Sequence, residues 1–327
     1  MPKTLMCEPR LLQKDLQGRV YIVTGANSGA GLATATQLAS QGAQVVAACR
    51  RVDAGKEAFA DMGPVSGSVD VQELDLGSLA SVRRFAEGFT AMSERLDGLA
   101  NNAGIMAVPE GRTEDGFETQ FGVNYLGHFL LTELLLDTPK ASAPSRIACV
   151  SSVAHTGGRS GPVPDIHLDD LDWKKREYDR FEAYGASKLA IVLQAVDLAR
   201  RLEGTGTSAF SVHPGWVRSN LARGAMPGRF GGAMNAGLNL ALRPLARPLG
   251  TMSGFEGAQT TLHCLLEDDA PAHSGEYYSQ NSVLYPDPKD RPGGWPMPSP
   301  NPHAHDAALA ERLYRRSLEL VGSSGEI

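Results

Sequence analysis

Short apolar segments alternate with segments of helical periodicity between residue 20 and about residue 215. Short apolar strands that alternate with helices are typical of βαβ units, whose parallel sheet is buried on both faces. The pattern therefore predicts an α/β fold that is doubly wound, with a mostly parallel sheet and helices on both faces. The predicted strands are Val20–Val23, Gln44–Ala48, Val69–Leu74, Leu96–Ala100, Arg146–Val150 and Ala209–Val212. The predicted helices are Gly29–Ser40, Asp53–Asp61, Ser78–Met92, Phe117–Leu136, Phe181–Leu202 and Ala307–Leu320.

No shift in composition along the 327 residues marks a linker between domains. A single domain is therefore predicted over residues 18–322, preceded by an N-terminal extension over residues 1–17. Three segments interrupt the alternation: the polar stretch 153–180, the stretch 219–252 rich in Gly, Ala, Leu, Met and Pro, and the proline-dense segment 285–305. Long segments with weak secondary structure inside a domain are usually functional or mobile.

Charge and cysteine content argue against several classes of protein. The 31 basic and 37 acidic residues leave a formal net charge of −6, whereas nucleic acid and anionic membranes favour a basic surface. The four cysteines lie far apart without a C-x-x-C pair, so buried reduced thiols are expected and no metal site. No stretch reaches the roughly 20 apolar residues of a membrane span, and no signal peptide pattern is present. A cytoplasmic location without a membrane span is the resulting expectation.

A glycine-rich turn, Thr24-Gly25-Ala26-Asn27-Ser28-Gly29-Ala30-Gly31, follows the first predicted strand and opens the first helix. A nucleotide pyrophosphate needs backbone N–H groups at a helix N-terminus and close approach to the backbone, which glycines permit. The strand before and the helix after the turn favour a nucleotide site, with an ordinary glycine turn as the alternative. A single-domain doubly wound Rossmann fold is thus predicted. Its predicted cofactor contacts in this turn are Gly25, Asn27, Ser28, Gly29, Ala30 and Gly31.

The second predicted strand runs into Cys49-Arg50-Arg51, where many dinucleotide folds place an acid that binds the ribose 2′-hydroxyl. A guanidinium suits a 2′-phosphate instead, through charge-assisted and often bidentate hydrogen bonds. Arg50 therefore favours NADP over NAD, and a surface arginine pair is the alternative.

Tyr184 and Lys188 lie four residues apart at the start of a predicted helix, so both project from one face. A nearby ammonium favours the phenolate and lowers the pKa of a tyrosine toward the range useful in acid–base catalysis. Without further motifs, a tyrosine and a lysine at this spacing more often pack in the core or pair on the surface.

Other polar motifs follow the predicted strands, at the edge where open α/β sheets bind ligands. They are Asn101-Asn102-Ala103-Gly104, Val150-Ser151-Ser152 and His213-Pro214-Gly215-Trp216-Val217.

Together these motifs resemble the short-chain dehydrogenase/reductase superfamily, which is known for T-G-x-x-x-G-x-G, N-N-A-G, a catalytic serine, Y-x-x-x-K and P-G in this order. The matches run from residue 18 to about residue 280. The chain is most similar to the retinol dehydrogenase-like branch, and light-dependent protochlorophyllide reductases are a more distant likeness. The stretches that carry the branch likeness include Ala48-Cys49-Arg50, Asp115-Gly116-Phe117-Glu118, Val150-Ser151-Ser152-Val153-Ala154-His155 and Gly257-Ala258-Gln259-Thr260-Thr261-Leu262-His263-Cys264.

The resemblance implies roles for individual residues. Tyr184 would exchange a proton with the substrate oxygen, and Lys188 would hold the nicotinamide ribose. Ser152, rather than Ser151, would hydrogen-bond the substrate oxygen. Asn124 would hold a water that connects Lys188 to solvent. The further residues implied at the cofactor are Asp75, Leu76, Asn102, Ala103, Gly104, Pro214, Gly215 and Val217.

By this resemblance the chain is expected to be an NADP-dependent oxidoreductase that interconverts carbonyl and alcohol groups of a bulky lipophilic substrate. Segment 219–252 would form the substrate lid. The branch commonly begins with a membrane anchor, and none is expected here. Two alternatives stay open: a carbon–carbon double-bond reductase, and a non-catalytic protein that senses the cofactor. A homo-oligomer is also left open, since the C-terminal residues could cover the usual contact surfaces.

Overall fold

Among the residues that the structure describes, seven strands form a single parallel sheet in the order β3-β2-β1-β4-β5-β6-β7. The strands are β1 (Val20–Thr24), β2 (Gln44–Cys49), β3 (Ser68–Glu73), β4 (Gly98–Asn101), β5 (Ser145–Val150), β6 (Thr207–His213) and β7 (Tyr277–Ser279). The strand order reverses between β1 and β4, which confirms the doubly wound fold and creates a crevice at their carboxyl ends.

The computed structural model describes residues 4–157, 162–217, 251–280 and 295–322. The predicted lid 219–252 lies outside these residues except for its last two positions. Residues 285–294 of the proline-dense segment also lie outside them.

The helices follow the predicted order with small shifts at their ends. They are α1 (Gly29–Ser40), α2 (Val52–Phe59), α3 (Leu79–Met92), α4 (Thr119–Phe121), α5 (Gly127–Leu135), α6 (Asp137–Ala141), α7 (Arg180–Arg201), α8 (Gly254–Leu266) and α9 (Ala307–Leu320). The predicted helix Phe117–Leu136 is divided, because a π-helical turn over Gly122–Leu126 separates α4 from α5. Within the described ranges, no helix has both the length and the apolar character needed to cross a membrane.

Two apolar cores lie on opposite faces of the sheet. Residues of α1 and α8 pack with alternate residues of β1, β2 and β6 on one face. Residues of α3, α5, α7 and α9 pack on the other face, around Ile22, Leu99 and Ile147. Helices therefore cover both faces, as predicted from the alternation along the chain.

Helix α8 and strand β7 were not predicted from the sequence. Helix α8 begins with a capping box, in which the Ser253 side chain accepts from Glu256 N and the Glu256 carboxylate accepts from Ser253 N. Ser and Glu at this spacing are a recognisable start signal, so the helix could have been predicted. Strand β7 has only three residues, too few to show a periodicity.

The N-terminal residues pack against α8 and the end of β7. The backbone N–H of Leu5 donates to Gln280 Oε1 at 2.6 Å, and Cys7 N donates to Gln259 Oε1 at 3.2 Å. Leu5, Cys7 and Leu11 are buried in the same core as α1 and α8. The described part of the N-terminal extension therefore shares the core of the domain.

Helix α9 covers the outer surfaces of α5 and α7. The Tyr314 ring lies edge-on to Phe129 with 5.8 Å between ring centres, and the Tyr125 hydroxyl is 2.8 Å from Ser317 Oγ. The guanidinium of Arg201 lies 4.2 Å from the centre of the Tyr314 ring. These contacts join the end of the chain to the helix that carries Tyr184 and Lys188.

Asp170 organises the polar loop before α7. Its carboxylate accepts hydrogen bonds from Lys174 N at 2.7 Å and Lys175 N at 3.0 Å, and from Arg176 Nε at 3.2 Å. The Arg176 guanidinium also lies 3.7 Å from the centre of the Trp173 ring. This aspartate thus stabilises the loop through hydrogen bonds and an ion pair.

Candidate active site

One cavity of about 1320 Å³ opens at the carboxyl ends of β1, β2, β4, β5 and β6. Most of the predicted site residues line it. They are Gly25, Asn27, Ser28, Ala30, Gly31, Arg50, Asp75, Leu76, Asn102, Ala103, Gly104, Ser152, Tyr184, Lys188, Pro214, Gly215 and Val217. Two predicted residues, Gly29 and Asn124, are not among the residues that line the cavity.

The glycine turn brings the first turn of α1 to the cavity. Gly25 has a φ of 64° and Gly29 a φ of 57°, in the left-handed region that glycine adopts without strain. Ser28 precedes α1 without a capping hydrogen bond from its side chain. The first amide groups of a helix have no partner within the helix, so this end can bind an anion.

The glycines also permit close packing within the protein, which the sequence analysis did not anticipate. A Cβ at Gly25 would lie 2.9 Å from Ala103 Cα, and one at Gly31 would lie 2.3 Å from Asn102 Nδ2. Asn102 in turn donates from Nδ2 to the Thr24 carbonyl at 2.8 Å. The motif after β4 is therefore packed directly against the turn after β1.

Thr24 and His128 join these two turns to the helix at the π turn, and neither was predicted. Thr24 Oγ1 accepts from Asn102 N at 2.8 Å and Ala103 N at 2.9 Å, and lies 2.8 Å from His128 Nε2. His128 Nδ1 lies 2.9 Å from the Asn124 carbonyl oxygen, which can only accept, so Nδ1 carries the proton. The Thr24 hydroxyl therefore donates to Nε2, and burial lowers the pKa of His128 to about 4. Every polar atom of this buried network has a partner.

Tyr184 and Lys188 lie buried near the start of α7, and both face the cavity. The Lys188 Nζ donates to the Val150 carbonyl at 2.9 Å and lies 5.8 Å from the centre of the Tyr184 ring. Burial lowers the pKa of Lys188 to about 7.

Burial raises the pKa of Tyr184 to about 12, and hydrogen bonding with the Ser152 side chain acts in the opposite direction. The spacing of Tyr184 and Lys188 along the helix predicts that Lys188 lowers this pKa. In the structure the Lys188 ammonium is directed at Val150, and burial opposes the charged forms of both side chains.

The two serines after β5 have different environments. Ser151 Oγ donates to the Lys188 carbonyl at 2.7 Å and is buried. Ser152 Oγ accepts from Ala154 N at 3.2 Å, at the start of the 3₁₀ turn Val153–Thr156. The Ser152 side chain is also hydrogen-bonded with Tyr184 in the cavity, whereas the Ser151 hydroxyl is directed at the helix backbone. This arrangement supports Ser152 over Ser151 as the substrate contact.

Asn124 lies in the π turn, and its side chain is fully buried. Its Oδ1 accepts from Ile105 N at 2.8 Å, while its Nδ2 lies 3.1 Å from the Ile105 carbonyl and 3.0 Å from Ser187 Oγ. The side chain thus joins the loop after β4 to α7, close to Lys188 in the chain. Its role in binding a water stays a prediction.

The cavity differs in polarity between its two ends. The turns after β1, β2, β3 and β4 form a polar end with Asn27, Ser28, Arg50, Asp75 and Asn102. The opposite end is lined largely by apolar side chains. These are Ile105, Met106, Val108, Val153, Pro162, Pro164, Phe181 and Trp216, together with Pro300 from the C-terminal part of the chain, and the polar residues Thr119, Thr156, Asp179 and Glu182 line the cavity beside them.

Comparisons with known proteins agree with this geometry. Residues 19–163 match the family model of the short chain dehydrogenases. Retinol dehydrogenase 12 of Homo sapiens is 44% identical over 310 residues, which cover 94% of this chain and 88% of that protein.

Two solved structures extend the comparison to the fold. An uncharacterised protein from Mycobacterium paratuberculosis has a TM-score of 0.72 and 35% identity, covering 96% of this chain and 97% of that one. The NADP active-site complex of Pseudomonas aeruginosa RhlG has a TM-score of 0.62 and 25% identity, covering 83% and 97%. The chain therefore belongs to the short-chain dehydrogenase/reductase superfamily, in its retinol dehydrogenase-like branch, and is an NAD(P)-dependent oxidoreductase that acts on alcohol and carbonyl groups.

Proposed function

We propose that this protein is an NADPH-dependent reductase of bulky lipophilic aldehydes or ketones, and that the reaction is reversible. The observation that carries the proposal is the convergence of Ser152, Tyr184 and Lys188 on one cavity with a polar end and an apolar end. A protein that only senses a cofactor has no need of these three side chains together.

The residues at the polar end fit a dinucleotide. Gly25, Ser28 and Gly31 line the cavity beside the N-terminus of α1, where a pyrophosphate would lie. Arg50 and Arg51 line the cavity at the end of β2, and their guanidinium groups suit a 2′-phosphate. The RhlG structure, 25% identical to this chain, holds NADP. These features support NADP rather than NAD.

The bound nicotinamide would supply a hydride to the carbonyl carbon of the substrate. Ser152 would donate a hydrogen bond from its hydroxyl to the carbonyl oxygen and keep its own proton. Tyr184 would transfer its phenolic proton to the same oxygen as negative charge develops there. A pKa of about 12 keeps this phenol protonated at neutral pH, which suits the reductive direction.

Lys188 would act on the cofactor side of the reaction. One of its three donors is used by the Val150 carbonyl, which leaves two for the hydroxyls of the nicotinamide ribose. Because the pKa of Lys188 is about 7, an anion placed beside the amine would readily shift it to the charged form. A charged Lys188 would then stabilise the phenolate of Tyr184 after the proton leaves.

The apolar end of the cavity supports a lipophilic substrate. Phe181 and Trp216 line it with more than half of each side chain exposed, at 58% and 54%. Large exposed apolar side chains at a cavity mouth are typical of a binding surface for an apolar molecule. Retinol dehydrogenase 12, by its name, acts on such a substrate, and a polyene aldehyde is therefore the first compound to test.

To test this function, purified protein is incubated with aldehydes, ketones and activated alkenes. The absorbance of NADPH or NADH reports turnover. We expect turnover of bulky apolar aldehydes with NADPH and none in Tyr184→Phe, which should still bind NADPH. Turnover of activated alkenes alone would favour a double-bond reductase. NADPH binding without any turnover would favour a cofactor sensor.

The proposal includes a cytoplasmic location and leaves a homo-oligomer open. The four cysteines are free and buried, in keeping with the cytoplasmic location expected from composition. Since α9 covers α5 and α7, any homo-oligomer would use other surfaces, which size-exclusion chromatography with light scattering can test.

A further inference from the structure

A segment near the C-terminus contacts the turn that carries Ser152, and His155 makes the connection. His155 is fully buried in the 3₁₀ turn after Ser152. Its Nδ1 lies 2.6 Å from the Ser152 carbonyl oxygen, and its Nε2 lies 2.7 Å from Ser299 Oγ. Asn301 Nδ2 donates to the carbonyl oxygens of His155 and Pro164, the latter at 3.0 Å. Ser299 and Asn301 are thus hydrogen-bonded to the turn that follows Ser152.

The hydrogen-bond pattern determines the tautomer of His155. A carbonyl oxygen only accepts, so Nδ1 donates to Ser152 and Nε2 accepts from the Ser299 hydroxyl. Ser299 Oγ also accepts from Asn301 N at 3.1 Å, so its proton is directed at the imidazole ring. Burial lowers the pKa of His155 to about 4, and His305 acts in the same direction. The ring is therefore neutral at physiological pH, and its two nitrogens keep these hydrogen bonds.

The carbonyl oxygen and the hydroxyl oxygen of Ser152 both accept hydrogen bonds from residues of this one turn. The Ser152 carbonyl accepts from the His155 ring and from His155 N at 3.1 Å. The Ser152 hydroxyl oxygen accepts from Ala154 N at 3.2 Å. A displacement of the turn therefore moves the hydroxyl, and displacements of about 1 Å at a reacting group can cost about a hundredfold in rate.

We propose that Ser299 and Asn301 are positioning residues that hold the Ser152 hydroxyl in place through His155. Pro300 lies between them and lines the cavity, so the same segment forms part of the wall beside the substrate. The inference rests on the proposed function, since it assigns a role in carbonyl reduction to residues far from the catalytic motifs in sequence.

Ser299→Ala tests the proposal, because it removes the donor to His155 Nε2. Ser317→Ala is a matched control: Ser317 is also a buried serine of the C-terminal part, is bonded to the Tyr125 hydroxyl and is not among the residues that line the cavity. We expect Ser299→Ala to lower kcat about tenfold with the KM for NADPH unchanged. Ser317→Ala should keep kcat within about twofold although it also lowers Tm. Ser299→Thr, which retains a hydroxyl, should recover most of the lost kcat.

A double-mutant cycle with Ser152→Ala shows whether the effect passes through Ser152. If it does, adding Ser299→Ala to Ser152→Ala should change kcat less than about twofold. An effect of about tenfold in both backgrounds, or equal kcat values for Ser299→Ala and Ser317→Ala, would overturn the inference. If Ser299→Ala does not fold, Ser299→Cys gives the same comparison, because a thiol is a weaker donor of similar size.

The proposed function and this inference are refuted by different results. Wild-type protein that turns over no carbonyl substrate refutes both. Wild-type protein that turns over, with Ser299→Ala behaving like Ser317→Ala, refutes the positioning role alone.

Discussion

Replacing Gly31 by alanine tests the close approach of the two turns that form the polar end of the cavity. A Cβ at this position would lie 2.3 Å from Asn102 Nδ2 and 2.6 Å from the Gly25 carbonyl oxygen. Neither neighbour can move freely. Asn102 Nδ2 donates to the Thr24 carbonyl, and Gly25 N donates to the Ala48 carbonyl, both at 2.8 Å.

The overlap is expected to cost about 1–3 kcal/mol of unfolding free energy, the usual range for a methyl group forced into a packed site. Gly88 supplies the matched control, since it lies exposed in α3 and a Cβ there would meet nothing within 4 Å. Alanine in an open helical position stabilises by roughly 0.5–1 kcal/mol relative to glycine. The two variants should therefore differ by about 1.5–4 kcal/mol, with Gly31→Ala the less stable.

Denaturant unfolding and a fluorescence titration with NADPH measure the two consequences. Gly31→Ala should unfold at lower denaturant than Gly88→Ala and bind NADPH about tenfold more weakly, equivalent to about 1.4 kcal/mol. Equal stability of the two variants would show that the turns do not meet as described. Reduced stability with unchanged NADPH affinity would limit the role of Gly31 to packing.

Three further predictions concern charged residues. Arg50→Asp should weaken NADPH binding at least tenfold and NADH binding much less, and an unchanged ratio of the two dissociation constants would place the 2′-phosphate elsewhere. Lys188→Met should abolish turnover yet stabilise the cofactor-free protein by roughly 5 kcal/mol at pH 6, because folding buries an ammonium whose pKa falls to about 7. This gain should vanish toward pH 10, where Lys188 is neutral in the native state and loses its charge in the unfolded chain as well; a gain independent of pH would contradict the burial argument. Asp97→Asn should cost about 1–3 kcal/mol at pH 7, since the buried carboxylate accepts from Arg19 at 2.6 Å and from Arg95 at 2.7 Å. The pKa of Asp97 lies below its ordinary value, so the wild-type advantage should shrink as pH falls below about 4, and urea unfolding at several pH values measures it.

The sequence was sufficient for most of the sheet and for the residues at the polar end of the cavity. The alternation of short apolar segments with helical segments predicted six of the seven described strands. A buried parallel strand must be apolar along its length whatever surrounds it. The motifs after β1, β4, β5 and β6 could be placed together because the carboxyl ends of parallel strands share one edge. That edge is where the structure brings Gly25, Asn102 and Ser152 together.

Side-chain contacts between distant segments could not be predicted in this way. The bonds of Thr24 with His128, and of His155 with Ser299, join residues more than a hundred positions apart. No local pattern encodes them, since a buried histidine finds its partner only after the helices have packed. The environment of Tyr184 and Lys188 likewise depends on burial, which opposes the charge of both.

The sequence by itself determined the doubly wound sheet, the glycine turn at a helix N-terminus and the pairing of Tyr184 with Lys188 on one helix face, because these follow from periodicity and spacing along the chain. The tertiary structure alone decided which groups surround them. It joined the C-terminal segment to the Ser152 turn, covered α5 and α7 with α9, and set the pKa values of Tyr184 and Lys188. The physical reason is that desolvation and buried hydrogen bonds depend on every segment that packs around a group, and those segments come from the whole length of the chain.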